Sequence, residues 1–260
     1  MLHPSYTTEL VFEFDDEKQE ELNSKILDQM EDLGYDSHNS MLNLGSLAIF
    51  SFFYFIKLFV YSAILKPANY FTGRFANRIY EMKQTLFYRD IIFLVIEAYL
   101  EFLIAGYLNL SEPLTTKNGE VVSIFIGWYC VLSTLVVFPM LFAYLLLQPH
   151  ETLQSFTFRK KWGGLYDRVD SREKFSLMYY PIFCLRRVVF CFLCFYVFSL
   201  PSIQYIALML HNVFILEFIA GQKPLQGRFL NRLEISNEMC SLICAFHMAF
   251  FTDWIPDETT

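Results

Sequence analysis

Long apolar blocks of about 20 residues run through this chain, separated by short loops that carry most of its charge. A helix needs about 20 apolar residues to cross about 30 Å of hydrocarbon. Residues 44–65, 91–110, 121–147, 179–200, 203–220 and 233–251 each meet that length. They have to be helices, because strands of a membrane barrel run about 10 residues and alternate in polarity. The chain is 55% hydrophobic and only 18% charged, where a soluble domain carries about 25% charge. Together these features exclude a disordered chain, a small disulfide scaffold and a nucleic-acid binder. The expected fold is all-α, a polytopic transmembrane helical bundle of about six spans over residues 44–252. An acidic tail, 1–43, precedes it and a short tail, 253–260, follows.

The loops set the orientation. Cytoplasmic loops are enriched in Lys and Arg. The loops 66–90, 148–178 and 221–232 hold fourteen of them, against three (Lys18, Lys25 and Lys117) in the alternate set. Those three loops are therefore predicted inside, and six spans then put both termini outside. The tail 1–43 carries 11 acidic side chains against two lysines, and it contains no charged-then-apolar stretch of the signal-peptide kind. An outer N-terminus of this kind suggests that the chain continues a longer protein with an outer domain. Asn109-Leu110-Ser111 is an N-glycosylation sequon on the predicted outer side, close to the membrane. The expected location is a plasma membrane or endomembrane rather than an organellar inner membrane.

Ionisable groups at membrane depth are costly and are functional candidates by default. Glu97 and Glu101 share one helix face, and Lys57 lies at similar depth in the preceding span. A Lys57–Glu97/Glu101 cluster is expected, either as an interhelical ion pair or as part of an ion or proton path. Arg186, Arg187, Glu217, Glu234 and Glu238 form a second expected network nearer the cytoplasmic face. It reads as a staple between the last three helices or as a gate. Arg159, Lys160, Lys161 and Trp162 make a basic run with an aromatic anchor, suited to lipid headgroups.

The other features are structural in character. Pro139 is expected to kink the third span. Pro181 suits the first turn of the fourth. Ser199-Leu200-Pro201-Ser202 is a tight turn that makes spans four and five an antiparallel hairpin. All six cysteines lie in apolar blocks, and the Cys191/Cys194 pair reads as small helix residues. His211 and His247 read as packing histidines. No nucleophile elbow, zincin, P-loop or dinucleotide motif occurs, so no enzyme activity and no cofactor are expected.

The stretches FRKKWGGLYDRV, YYPIFCLRRVVF and NRLEISNEMCSLICAFHMAFFTDWIPD resemble the membrane region of large ciliate and other protist proteins. Those are multi-pass proteins, transient-receptor-potential-like, whose helices follow a cysteine-rich outer region. The matching pieces are Gly164-Leu165-Tyr166, Arg186-Arg187, Asn237-Glu238 and Phe251-Thr252-Asp253, within residues 90–258. The resemblance implies an outer N-terminal region, in agreement with the loop charges. This sequence lacks the cysteine-rich region and stops soon after the Phe-Thr-Asp segment, as a truncated or minimal member would. The basic, internal loop before the last span contains no filter-like sequence and opposes a simple tetrameric pore.

The leading functional expectation is a channel-like or sensor-like membrane protein with the buried charges as its working parts. The alternative is a non-catalytic accessory subunit of a larger membrane complex, its charges serving as staples. A secondary transporter is disfavoured because no inverted repeat is visible. Expected partners are membrane lipids, and protein partners or further copies of the chain. Nucleic acid is not among them.

Overall fold

The fold is that of a computed structural model, described for residues 35, 37, 39–67, 70, 79, 82, 83, 85–115, 117–166, 168–197 and 199–251. The acidic tail up to residue 34 and the C-terminal residues 252–260 lie outside the described residues. Among those described, all regular structure is helical, with one isolated antiparallel bridge between Val169 and Leu225. They divide into two compact units. The first takes the chain up to Tyr144 together with Lys160–Gly164, and the second takes Leu145–Arg159 and the chain from Leu165 onward.

The first unit begins with α1 (Ser40–Asn43) and α2 (Gly45–Phe59), which continues as a π-helical turn over Val60–Leu65. A second π-helical turn, Thr85–Arg89, leads into α3 (Asp90–Glu97). After the single residue Ala98 comes α4 (Tyr99–Ser111), bent by 65° from α3. Then follow α5 (Asn118–Leu132), a π-helical stretch over Ser133–Val137, and α6 (Phe138–Leu147). Helices α4 and α5 approach closely because two glycines face the contact. A Cβ on Gly106 would lie 2.8 Å from Val131 Cγ2 and 3.2 Å from the Gly127 carbonyl. Small residues at helix crossings are what permits such an approach in apolar surroundings, where dispersion and hydrogen bonds replace the hydrophobic effect.

Pro139 is absorbed rather than expressed as a sharp kink. Residues 118–147 run as one helical rod of 30 residues, and the π-helical stretch falls just ahead of the proline. Proline has no N–H to give. The N–H of Phe138 goes to the Ser133 carbonyl, so the π-helical donor for the Thr134 carbonyl would be residue 139, which has none. The Tyr99 hydroxyl takes that place, donating to the Thr134 carbonyl at 2.7 Å. Its ring meets Phe138 edge-on, and Phe138 meets Phe142 in turn. The residue beside the α3–α4 break is thus fixed by a defect in the next helix.

The second unit contains α7 (His150–Gln154), most of α8 (Phe156–Trp162), a 3-10 turn over Lys174–Met178, α9 (Tyr179–Tyr196), α10 (Pro201–Gln222) and α11 (Arg228–Met248). Pro201 is the first residue of α10 and Pro181 lies in the first turn of α9, where a missing N–H costs nothing. The loop between α10 and α11 is tied twice. Asn231 accepts from the Leu225 N–H at 3.0 Å and donates back to the Leu225 carbonyl at 2.6 Å. The strap 168–170 pairs with the same loop: Asp170 N–H donates to the Pro224 carbonyl at 2.8 Å and Gln226 N–H to the Arg168 carbonyl at 2.7 Å.

Among the described residues, three helical rods are long and apolar enough to cross a membrane: Asn118–Leu147, Lys174–Tyr196 and Pro201–Gln222. The α3–α4 pair makes a fourth if the two bent halves count as one span. The first expected span is helical over Gly45–Phe59 and on through Val60–Leu65, and Phe52–Leu65 is an apolar stretch within it. The sixth has the length, 21 residues in α11, but its Arg, Glu and Asn content keeps it out of the apolar set. The expected six-span bundle is therefore reached only in part. Such apolar helices are compatible with a membrane protein.

Candidate functional site

The polar centre of the second unit is built by three helices, each contributing one stripe at helical spacing. Helix α9 supplies Tyr179, Ile182 and Arg186, and α10 supplies Asn212, Ile215 and Ile219. Helix α11 supplies Glu234, Ile235 and Glu238. Positions three and four apart share a helix face, so each stripe offers apolar residues and one or two polar ones together. The apolar members pack as a cluster of Ile182, Ile215, Phe218 and Ile219, with Met178, Tyr179 and Ile235 against it.

Arg186 joins all three helices. One terminal nitrogen donates to both Glu238 oxygens, at 2.7 and 2.9 Å, and the other donates to Asn212 Oδ1 at 3.0 Å. Glu238 is buried, its side chain 8% exposed. The level of the contact follows from the hairpin. Asn212 and Glu238 each stand thirteen residues from Leu225 at the centre of the α10–α11 loop, so antiparallel helices bring them to the same height. A few residues along α11, Glu234 accepts a hydrogen bond from the Tyr179 hydroxyl at 2.8 Å. Between the two carboxylates lies a cavity of about 20 Å³, lined also by Phe183, Ile215 and Phe218. That is room for about one water.

The expected members of this network are not all brought together. Arg186, Glu234 and Glu238 are. Arg187 turns to its own helix, donating to the Phe183 carbonyl at 3.2 Å with its guanidinium 3.5 Å over the Phe183 ring. Glu217 is exposed, because five residues beyond Asn212 puts it about 140° around α10. Asn212 takes the position that Glu217 was expected to hold, and Tyr179 completes the set. Both escape a reading of the sequence because an amide and a phenol in an apolar run look like packing residues. Equal distance of Asn212 and Glu238 from the loop is the signal that could have found the first.

The Lys57 cluster also differs from its expected form. Lys57 pairs with Asp90, the first residue of α3, rather than with Glu97 or Glu101. Asp90 follows directly on the π-helical turn Thr85–Arg89, and it lies just outside the apolar block that began the second expected span. Glu97 is exposed and closes α3, while Glu101 is half-buried in the first turn of α4 on the far side of the bend. The break at Ala98 separates two carboxylates that one straight helix would have stacked.

In the basic run, Trp162 is half-buried between aromatic rings, 6.4 Å from Tyr88 and 5.9 Å from Tyr144. Lys161 lies 5.8 Å over the same Tyr88 ring. Arg159 and Lys161 are exposed and Lys160 is half-exposed. The sequon residue Asn109 is only 7% exposed, and its amide donates to Ser123 at 2.9 Å. Cys191 and Cys194 are free thiols, as are the other four cysteines. No group of His, Cys, Asp and Glu among the described residues is arranged to hold a metal ion.

No protein-family model, curated protein or solved structure matches the chain.

Proposed function

We propose that the chain is a multi-pass integral membrane protein in which α9, α10 and α11 form a charge-locked, sensor-like module. The observation that carries this reading is an inside-out distribution of polarity. Arg186, Asn212 and Glu238 are gathered at the helix contacts, while Leu185, Phe192, Tyr196, Leu210, Val213 and Phe214 on the same helices are exposed. In the apolar windows of the three rods only 22–33% of residues are buried. Water penalises that arrangement and hydrocarbon favours it. Arg186 works as a lock because its removal strands a buried carboxylate. A stimulus that separates α11 from α9 must break the same contact.

The lock leaves room for about one water, which favours a sensing or gating element over a standing aqueous path. A second reading, an accessory subunit, draws on the same exposed apolar faces as surface for partner helices. The resemblance to the protist multi-pass family belongs to the proposal too, and finding a cysteine-rich outer region encoded in the same transcript would support it.

Proteoliposomes holding the full chain separate the readings. Arg186→Gln with Glu238→Gln, at unchanged helical content, raises ion flux over the unaltered chain if the lock gates a path. Unchanged flux with loss of fold in detergent, restored by co-expressed membrane partners, favours the accessory subunit. Release of the unaltered chain into the supernatant by carbonate washing overturns both.

A further inference from the structure

The two loops tied together by the Val169–Leu225 bridge enclose an open cavity of about 740 Å³, separate from the Arg186 lock. Its wall carries Arg172, Lys223, Arg228 and Arg232, against one carboxylate, Asp170. Asp170 already stands 3.8 Å from Arg172 and accepts the Arg172 N–H. Among the described residues, Lys223, Arg228 and Arg232 form no ion pair. Four cations over one carboxylate leave a surplus of three positive charges around a space of small-ligand size.

The backbone brings these residues to one place. Lys223 ends α10 in the left-handed conformation, at φ 47°, and Gly227 opens α11 at φ 101°. The conformation is expensive for lysine, and the Asn231 clamp on Leu225 and the strap 168–170 hold the loop that contains it. Arg228 and Arg232 are four apart on α11, so they rise from one face at its first two turns. The positive end of that helix adds to the same field. All four cationic side chains are exposed, and like charges gathered around one cavity leave a place for a counter-charge.

We propose that this cavity binds a ligand with two or more phosphate groups, either a free phosphorylated small molecule or the headgroup of a phosphorylated lipid. One phosphate would leave part of the surplus unmatched, and a bisphosphate at neutral pH balances it. Arginine guanidiniums suit phosphate oxygens through paired donors. Both loops belong to the set read from the sequence as cytoplasmic, where anionic headgroups are displayed. Ile235, which lines the cavity, also packs against the apolar cluster of the lock, so occupancy bears on α11 directly.

The test measures binding of inorganic pyrophosphate to the detergent-solubilised full chain by calorimetry. In parallel it measures binding of the chain in nanodiscs containing phosphatidylserine alone or with a phosphatidylinositol bisphosphate. Arg228→Gln with Arg232→Gln should weaken the tighter of these interactions about tenfold or more, since a basic residue contributes roughly fivefold at an anionic surface. Lys18→Gln with Lys25→Gln removes equal charge from the acidic tail and should leave it within about twofold. Pyrophosphate binding without a lipid effect assigns the site to a free ligand. A bisphosphate-lipid effect that pyrophosphate does not match assigns it to a headgroup. No binding in either arm, or an equal loss in the Lys18/Lys25 control, overturns the proposal. The pyrophosphate arm needs no bilayer, so its result is independent of whether the chain proves to be membrane-integral.

Discussion

One guanidinium nitrogen of Arg186 on α9 rests against both carboxylate oxygens of Glu238 on α11, at 2.7 and 2.9 Å. Removing one member of a buried pair is worse than removing both, because the survivor keeps its desolvation cost without its partner. Arg186→Leu should lower stability by about 3 kcal/mol, with Glu238→Gln intermediate. Arg186→Leu with Glu238→Leu should recover much of that loss. Thermal unfolding in detergent measures all three. Additive losses in the double variant would contradict the pairing.

The Tyr99 hydroxyl on the Thr134 carbonyl gives a second, sharper test. Tyr99→Phe leaves a buried carbonyl without its donor and should cost about 1–2 kcal/mol. Pro139→Ala restores a backbone N–H five residues past Thr134. In that background the cost of Tyr99→Phe should fall toward zero. A double-mutant cycle in detergent reads the coupling, and an unchanged cost with Ala at position 139 would reject the explanation.

Two glycines should respond in opposite directions. Gly106→Ala places a methyl 2.8 Å from Val131 Cγ2 and 3.2 Å from the Gly127 carbonyl, so α4 and α5 must part. The expected loss is about 1–3 kcal/mol, partly recovered by Val131→Ala. Gly221 lies in the last turn of α10, and a methyl added there would meet nothing within 4 Å. Gly221→Ala should stabilise by about 0.5–1 kcal/mol through helix propensity. Denaturant titration of the two variants side by side decides the sign of each.

The helices themselves are legible in the sequence because apolar runs of this length have few other uses, and Asn118–Leu147, Lys174–Tyr196 and Pro201–Gln222 fall close to three of the blocks. Charges in apolar runs also stand out, which is why Arg186 and Glu238 group together from the sequence alone. Direction around and along a helix is not legible in the same way. Glu217 and Asn212 differ by about 140° of rotation, and only the packed register says which faces inward. The bend at Ala98 has no proline or glycine to announce it, so Glu97 and Glu101 read as one face. Pro139 announces a defect, but the π-helical turn that absorbs it depends on Tyr99 from another helix. Asp90 escapes notice because it sits one residue before the second block begins.

The proposed multi-pass topology puts the strap that contains Ser171 and the end of α10 on one side of a bilayer and the loop after α4 on the other. Single-cysteine variants at Thr115, Ser171 and Gln222, made after the native cysteines are replaced, can be labelled in sealed vesicles with a membrane-impermeant maleimide. The account predicts that Ser171→Cys and Gln222→Cys react from one side and Thr115→Cys only from the other. Reaction of all three from the same side would contradict it.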